Sequence, residues 1–159
     1  MKFFRHGPAG SEKPGVLDGQ GGMRDLSGLI GDIDGAALER GHDLGLGAID
    51  LESLPLVQAG TRIGPCVSGV SKFVCIGLNY SDHARETGAE VPPEPVVFLK
   101  ANSAICGPDD DIEKPRGSTK LDWEVELGLV IGRRAKYVSE AEAMDHLFGY
   151  CLINDVSER

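Results

Sequence analysis

One short stretch constrains this chain more than any other: Asp122-Trp123-Glu124-Val125-Glu126-Leu127-Gly128-Leu129 alternates polar and apolar residues with a period of two. That period fits a β-strand. It puts Trp123, Val125, Leu127 and Leu129 on one face and Asp122, Glu124 and Glu126 on the other. Neighbouring carboxylates on such a face stand ~7 Å apart, twice the rise per residue. Like charges in that row, with no cation between them, repel unless water or a metal ion screens them. Two readings follow from the pattern. It is an ordinary solvated strand face, or it is a site for a hard cation such as Mg²⁺, Mn²⁺ or Ca²⁺, which prefer carboxylate oxygens.

The acid bias extends to the whole chain, whose 159 residues carry 25 Asp+Glu against 16 Lys+Arg, a net charge of −9. Nucleic-acid and anionic-membrane partners demand basic patches, so this balance argues against both. With 41% apolar and 26% charged residues, there is enough core material for a folded chain of one domain, or one with a small appendage. No apolar run approaches the ~18–20 residues that span a bilayer. The start, Met1-Lys2-Phe3-Phe4-Arg5-His6-Gly7, lacks the apolar segment and cleavage site of an export signal. Cys66, Cys75, Cys106 and Cys151 form no C-x-x-C pair, which leaves zinc-ribbon and redox-dithiol readings without support. Read as buried free thiols, they favour a reducing cytoplasm.

The 22 glycines, roughly twice the usual share of ~7%, are spread without a period and imply many turns between short strands. Val16-Leu17 and Met23–Leu29 read as a hairpin around Gly19–Gly22, and Ile30 to Leu56 as short helical pieces among loops. Lys72–Gly77 reads as a strand, Asn79–Thr87 as a helix stopped by Gly88, and Val96–Leu99 as a buried strand. Leu121 to Ile131 is the clearest strand. Ser139 and Glu142 have the spacing of a capping box and open a helix, after which Phe148 to Val156 returns to strand. The class expected is β-rich α+β, with a small N-terminal domain over 1–68 and a second region over 69–159.

Beyond the acidic strand, Asp155 follows the apolar run Tyr150-Cys151-Leu152-Ile153, where a strand would deliver it to a sheet edge or loop. It reads either as a turn or cap carboxylate or as a third oxygen ligand beside two glutamates. His83 and Glu86 are spaced i, i+3 and share one face of any helix that holds both. They form either a surface pair or a dyad in which the carboxylate orients the imidazole to activate water. His6, His42 and His146 have no comparably placed acid. No G-x-S-x-G, H-E-x-x-H or Walker A sequence is present.

Four motifs together resemble the fumarylacetoacetate hydrolase superfamily. They are Gly77-Leu78-Asn79-Tyr80-Ser81-Asp82-His83-Ala84-Arg85-Glu86-Thr87-Gly88, Pro95-Val96-Val97-Phe98-Leu99-Lys100, Asp122-Trp123-Glu124-Val125-Glu126-Leu127 and Asn154-Asp155-Val156-Ser157-Glu158-Arg159. The resemblance runs from about residue 72 to the end in matching order and spacing, and residues 1–68 look like the leader domain of bacterial members. It implies a mixed β-sandwich roll, present here only in part, assembled as a homodimer in the cytoplasm. It also implies that Glu124, Glu126 and Asp155 ligate Mg²⁺ or Mn²⁺, sometimes Ca²⁺. His83 and Glu86 would activate water, and Arg159 would contact a small oxo-acid substrate.

The reaction implied is hydrolysis of a carbon–carbon bond in an acylpyruvate-like acid, with decarboxylase, isomerase and ureidoglycolate-lyase relatives using the same apparatus. Members of that family continue past the last motif with a catalytic lysine that Lys100, in a different motif, does not replace. The expectation is therefore a truncated member, either active or an inert fragment, with apolar faces and edges left uncovered.

Overall fold

The structure is a computed structural model that describes every residue except 87 and 89. Thr87, expected at the end of a helix, therefore lies outside the described residues. The chain gathers into two compact units, one formed by residues 1–69 with 107–159 and the other by residues 70–106.

In the first unit, β1 (Lys2–His6) pairs antiparallel with β2 (Lys13–Leu17), which pairs with β3 (Met23–Asp25), while β4 (Ile63–Gly64) lies on the other side of β1. The β2–β3 connection is the hairpin expected from the glycines: Asp18 N–H donates to the Gly22 carbonyl, and the Asp18 carboxylate accepts from Gln20 and Gly22 N–H. Against this sheet lie a single turn, α1 (Gly35–Leu38), capped by Asp34, and the short 3₁₀ segment Leu51–Ser53. The core is Val16, Leu26, Ile30, Ile33, Ala37, Leu38, Leu44 and Leu46, with Val67, Val130 and Phe148 packed on it. Phe148 stacks at 5.9 Å on Phe3, and its carbonyl meets His42 Nδ1 at 2.8 Å. The later part of the chain is thus docked on the N-terminal core.

Two features of this unit, one buried and one partly exposed, carry measurable consequences. Gly15 lies opposite Phe4 in the β1–β2 register, and a Cβ there would come within 2.5 Å of the Phe4 ring. Gly15→Ala should therefore cost about 1–3 kcal/mol in urea unfolding, and Phe4→Leu in the same chain should recover part of the loss. Arg62 is held between Asp110 (Nε–Oδ1, 2.6 Å) and Glu12 (Nη1–Oε1, 2.9 Å), and Asp110 also accepts from Gly107 N–H. The Arg62 guanidinium and that N–H hold the Asp110 carboxyl below its usual range. A lowered folded-state value stabilises the fold above the unfolded value, and the contribution is lost as pH falls through the folded one. Asp110→Asn should accordingly weaken the protein at pH 7, and the difference from the parent should vanish in acid.

Residues 121–131 are not one unbroken strand. β7 (Leu121–Asp122) pairs with β10 (Ser157–Glu158), and β8 (Val125–Ile131) pairs with β9 (Leu147–Asn154), while Trp123 and Glu124 belong to neither ladder. The register nevertheless carries across the gap: Asp122 faces Ser157, Val125 faces Asn154, and Asp155 N–H donates to the Glu124 carbonyl at 2.9 Å. The predicted helix at Ser139 is a 3₁₀ segment, Glu140–His146. The Ser139 hydroxyl donates to the Glu142 carboxylate at 2.6 Å instead of capping a backbone N–H, while that carboxylate also accepts from the Ser139 N–H, so only one half of the capping box forms.

The second unit pairs β5 (Phe73–Gly77) with β6 (Val96–Lys100), with α2 (Ser81–Glu86) between them in sequence. β6 is a strand as expected but is not buried. Val97 and Leu99 face Ile76 and Val74 across the ladder, and Leu99 is 68% exposed. On β8 the exposure alternates: Val125, Leu127, Leu129 and Ile131 are exposed while Glu126, Gly128 and Val130 are partly covered. The cause is Val130, which turns its face of β8 toward the N-terminal core. The acidic residue lies on the covered face, and the apolar residues point outward.

Candidate metal centre

The β8–β9 ribbon positions the acids. Glu126 sits opposite Ile153, one pair from the end of the ladder. Glu124 is fixed just beyond it by two backbone groups: its N–H donates to Asn154 Oδ1 at 3.2 Å, and its carbonyl accepts from Asp155 N–H. Asp155, directly after β9, is thereby tied to the same point of the register. A local opening between two ladders that share one register thus presents Glu124 and Asp155 side by side, with Glu126 next along the strand.

The electrostatics reflect that placement. Burial pushes the Glu126 carboxyl up, and the charges of Glu124 and Asp155 push it further in the same direction. Arg159 supplies the opposing charge. Its Nε donates to Asp122 Oδ2 at 3.0 Å and its Nη2 to Glu124 Oε1, and these carboxylates raise the guanidinium above its ordinary value. The donors available are all oxygens, which suits a hard divalent cation such as Mg²⁺, Mn²⁺ or Ca²⁺. Among the described residues, no three His, Cys, Asp or Glu side chains are drawn together tightly enough to enclose an ion. Glu124, Glu126 and Asp155 are therefore close enough for their charges to act on one another without forming a closed cluster.

His83 and Glu86 both lie on α2, in the second unit. Both are exposed on a helix of only six residues, and the His83 N–H meets the Asp82 carboxylate at 3.1 Å. Gly88, just past α2, has the positive φ of 69° that only glycine adopts easily, and its N–H donates to the Arg85 carbonyl. In the same unit an open groove of about 210 Å³ runs between Ile76–Asn79 and Val91–Pro95. Its floor includes Leu78, a non-glycine residue at φ 50°. The Gly77-Leu78-Asn79 motif was legible in the sequence, but not its meeting with Val91–Pro95 in a groove. Asp122 was legible as part of the acidic face, yet its pairing with Arg159 was not, because that contact depends on β10 returning beside β7.

Residues 72–159 match the fumarylacetoacetate (FAA) hydrolase C-terminal family. A protein of Burkholderia ambifaria named as a hydrolase is 57% identical over all 159 residues. The chain spans 56% of that relative's length. Among solved structures, the fumarylacetoacetate hydrolase of psychrophilic Exiguobacterium antarcticum aligns with a TM-score of 0.78 at 31% identity, over 100% of this chain and 57% of its own. Maleylpyruvate hydrolase from Sphingobium sp. SYK-6, in complex with manganese(II) and pyruvate, aligns with a TM-score of 0.77 at 26% identity, over 100% and 60%. The chain belongs to the fumarylacetoacetate hydrolase family. Its β-rich α+β architecture is that family's fold, of which it covers somewhat more than half.

Proposed function

We propose that this chain carries the metal-binding and water-activating parts of a hydrolase that cleaves a carbon–carbon bond in an acylpyruvate-type 2,4-dioxo acid. The observation that supports it most directly is Glu126, a partly covered carboxyl raised by burial and by two neighbouring carboxylates. A carboxyl whose charge is disfavoured by burial and by two neighbouring carboxylates gains from a shared divalent cation. The manganese and pyruvate bound by the Sphingobium relative add support, since pyruvate is what such a cleavage releases.

Glu124, Glu126 and Asp155 would hold the cation, Mg²⁺ or Mn²⁺, with Ca²⁺ also compatible with an all-oxygen set. When bound, the cation supplies Lewis-acid polarisation of the substrate's oxo and carboxylate oxygens and stabilises the departing pyruvate enolate. The proton transfers fall to the protein. His83 takes a proton from the attacking water while Glu86 orients the imidazole and offsets its developing charge. The hydroxide so formed adds to the distal carbonyl, and collapse of that adduct breaks the bond to the enolate carbon. Arg159, which pairs with Asp122 and Glu124, would meet the substrate carboxylate.

The same reading takes residues 1–68 as a leader domain, 69–159 as catalytic-domain sequence, and the working protein as a cytoplasmic homodimer. Calorimetry with Mn²⁺ and Mg²⁺ on the 159-residue chain tests the centre. Heat of binding lost in Glu124→Ala and Asp155→Asn supports it, and binding unchanged in both refutes it.

A further inference from the structure

Two strands of only two residues each, β7 and β10, join the segment that holds Asp122 and Glu124 to the segment that follows Asp155. Asp122 lies opposite Ser157, and Leu121 opposite Glu158. Strands in globular proteins usually run to about 5–6 residues, so a ladder this short needs further ties to persist. Glu158 supplies them. One of its carboxylate oxygens accepts from Thr119 N–H at 3.0 Å and from Lys120 N–H at 3.1 Å, and the other accepts from the Ser118 hydroxyl. Arg159 N–H then donates to the Lys120 carbonyl at 3.1 Å, which carries the pairing one residue beyond the ladder. The loop is shaped for this contact. Ser118 N–H donates to the Pro115 carbonyl at 3.1 Å and Gly117 takes φ 79°, the geometry of a turn with glycine at its third position. After that turn, the Ser118 hydroxyl and the next two N–H groups converge on Glu158.

We propose that Glu158 is a positioning residue: its carboxylate clamps residues 118–120 to β10 and so fixes the Arg159 guanidinium beside Asp122 and Glu124. Glu158 acts through Arg159 and is not itself a contact of substrate or metal. The role rests on the reading of Arg159 as the group that meets the substrate carboxylate.

The need for a clamp follows from exposure. The side chains of Arg159 and Asp122 are each close to half exposed. An exposed ion pair by itself gains little, because a long side chain loses rotamer freedom and solvent screens the charges. What differs here is the root of the side chain. The Arg159 backbone is held by its own N–H on the Lys120 carbonyl and by the Glu158 clamp one residue earlier. From that fixed root, Nε reaches Asp122 Oδ2 at 3.0 Å and Nη2 reaches Glu124 Oε1. Hydrogen bonds to a charged carboxylate are roughly twice as strong as neutral ones, so three donors on Glu158 form a firmer tie than the two-residue ladder. Arg159 is then ordered before a substrate arrives, and preorganisation of that kind raises affinity without adding a contact.

The test begins with heteronuclear NMR of the metal-free 159-residue chain, the Arg159 Nε–H signal being assigned through Arg159→Lys. In the parent that signal should stand apart from those of freely rotating arginines and exchange slowly. In Glu158→Ala it should join them, and the Thr119 and Lys120 N–H groups should exchange about tenfold faster, the factor for one lost charge-assisted bond each. Glu158→Gln keeps an accepting oxygen and should restore most of the parent signal. Ser118→Ala, which lacks one of the donors, should shift it part of the way. An Arg159 signal unchanged in Glu158→Ala overturns the proposal. On protein from the complete reading frame, Glu158→Ala should raise KM for a simple acylpyruvate about tenfold with kcat within about twofold. An unchanged KM overturns the positioning role. The NMR readout uses neither metal nor substrate. A failure of the metal-centre reading, seen as absent Mn²⁺ binding in the parent, is therefore told apart from a failure of the clamp.

Discussion

Glu126→Gln should abolish Mn²⁺ binding to the chain while leaving the metal-free protein at least as stable as its parent at pH 7. The two halves of this result have one cause. Glu126 is raised by burial, by Glu124 and by Asp155, so its charged form is disfavoured in the folded state. For an acid with a raised folded-state value, stability is greatest in acid and falls as pH rises through that value. Removing the charge then relieves a penalty at neutral pH. Because the side chain is only partly covered and solvent screens the repulsion, the gain should be a few tenths of a kcal/mol in urea unfolding.

The same substitution deletes an anionic ligand, and replacing a hard-cation carboxylate with a neutral amide should weaken binding by about 10²-fold or more. The parent's affinity should also decline with falling pH, starting above the ordinary glutamate range, because Glu126 takes up its proton early. A surface acid of purely structural importance would show neither the opposed signs nor that early decline. Mn²⁺ calorimetry at several pH values, paired with urea unfolding of the same preparations, reads both.

The period-two pattern correctly placed Glu126 and the β8 apolar residues on opposite faces, since strand parity is a local property. Which face is covered is not local. Val130 and Phe148 dock on a core built mainly from residues 16–46, and that distant contact leaves Val125, Leu127 and Leu129 exposed. β6 shows the same gap: Val-Val-Phe-Leu reads as buried by composition, but burial needs a partner surface that the pattern does not specify. The β2–β3 hairpin was legible because Asp18 and the following glycines encode their own turn. Ser139 and Glu142 had the right spacing for a capping box and the Glu142 half forms, but the Ser139 hydroxyl bonds Glu142 rather than a backbone N–H, and the segment is 3₁₀. The Arg159 bridge to Asp122 and Glu124 joins residues far apart in sequence, where spacing says nothing.

His83→Ala should lower kcat by about 10²–10⁴-fold with a simple acylpyruvate, measured on protein from the complete reading frame, while Mn²⁺ affinity stays within about twofold. General-base assistance has that size, and the carboxylates rather than the imidazole would carry the metal. Glu86→Gln should produce a smaller loss of the same kind, because an amide still orients the imidazole but no longer offsets the charge it acquires. The exposure of His83 and Glu86 on a helix of six residues makes the test clean, because neither substitution removes a buried side chain. A fall in kcat accompanied by unchanged unfolding and unchanged metal binding assigns the pair to the chemical step. If His83→Ala leaves kcat intact, the water must be activated elsewhere, and the i, i+3 pair is only a surface feature of α2.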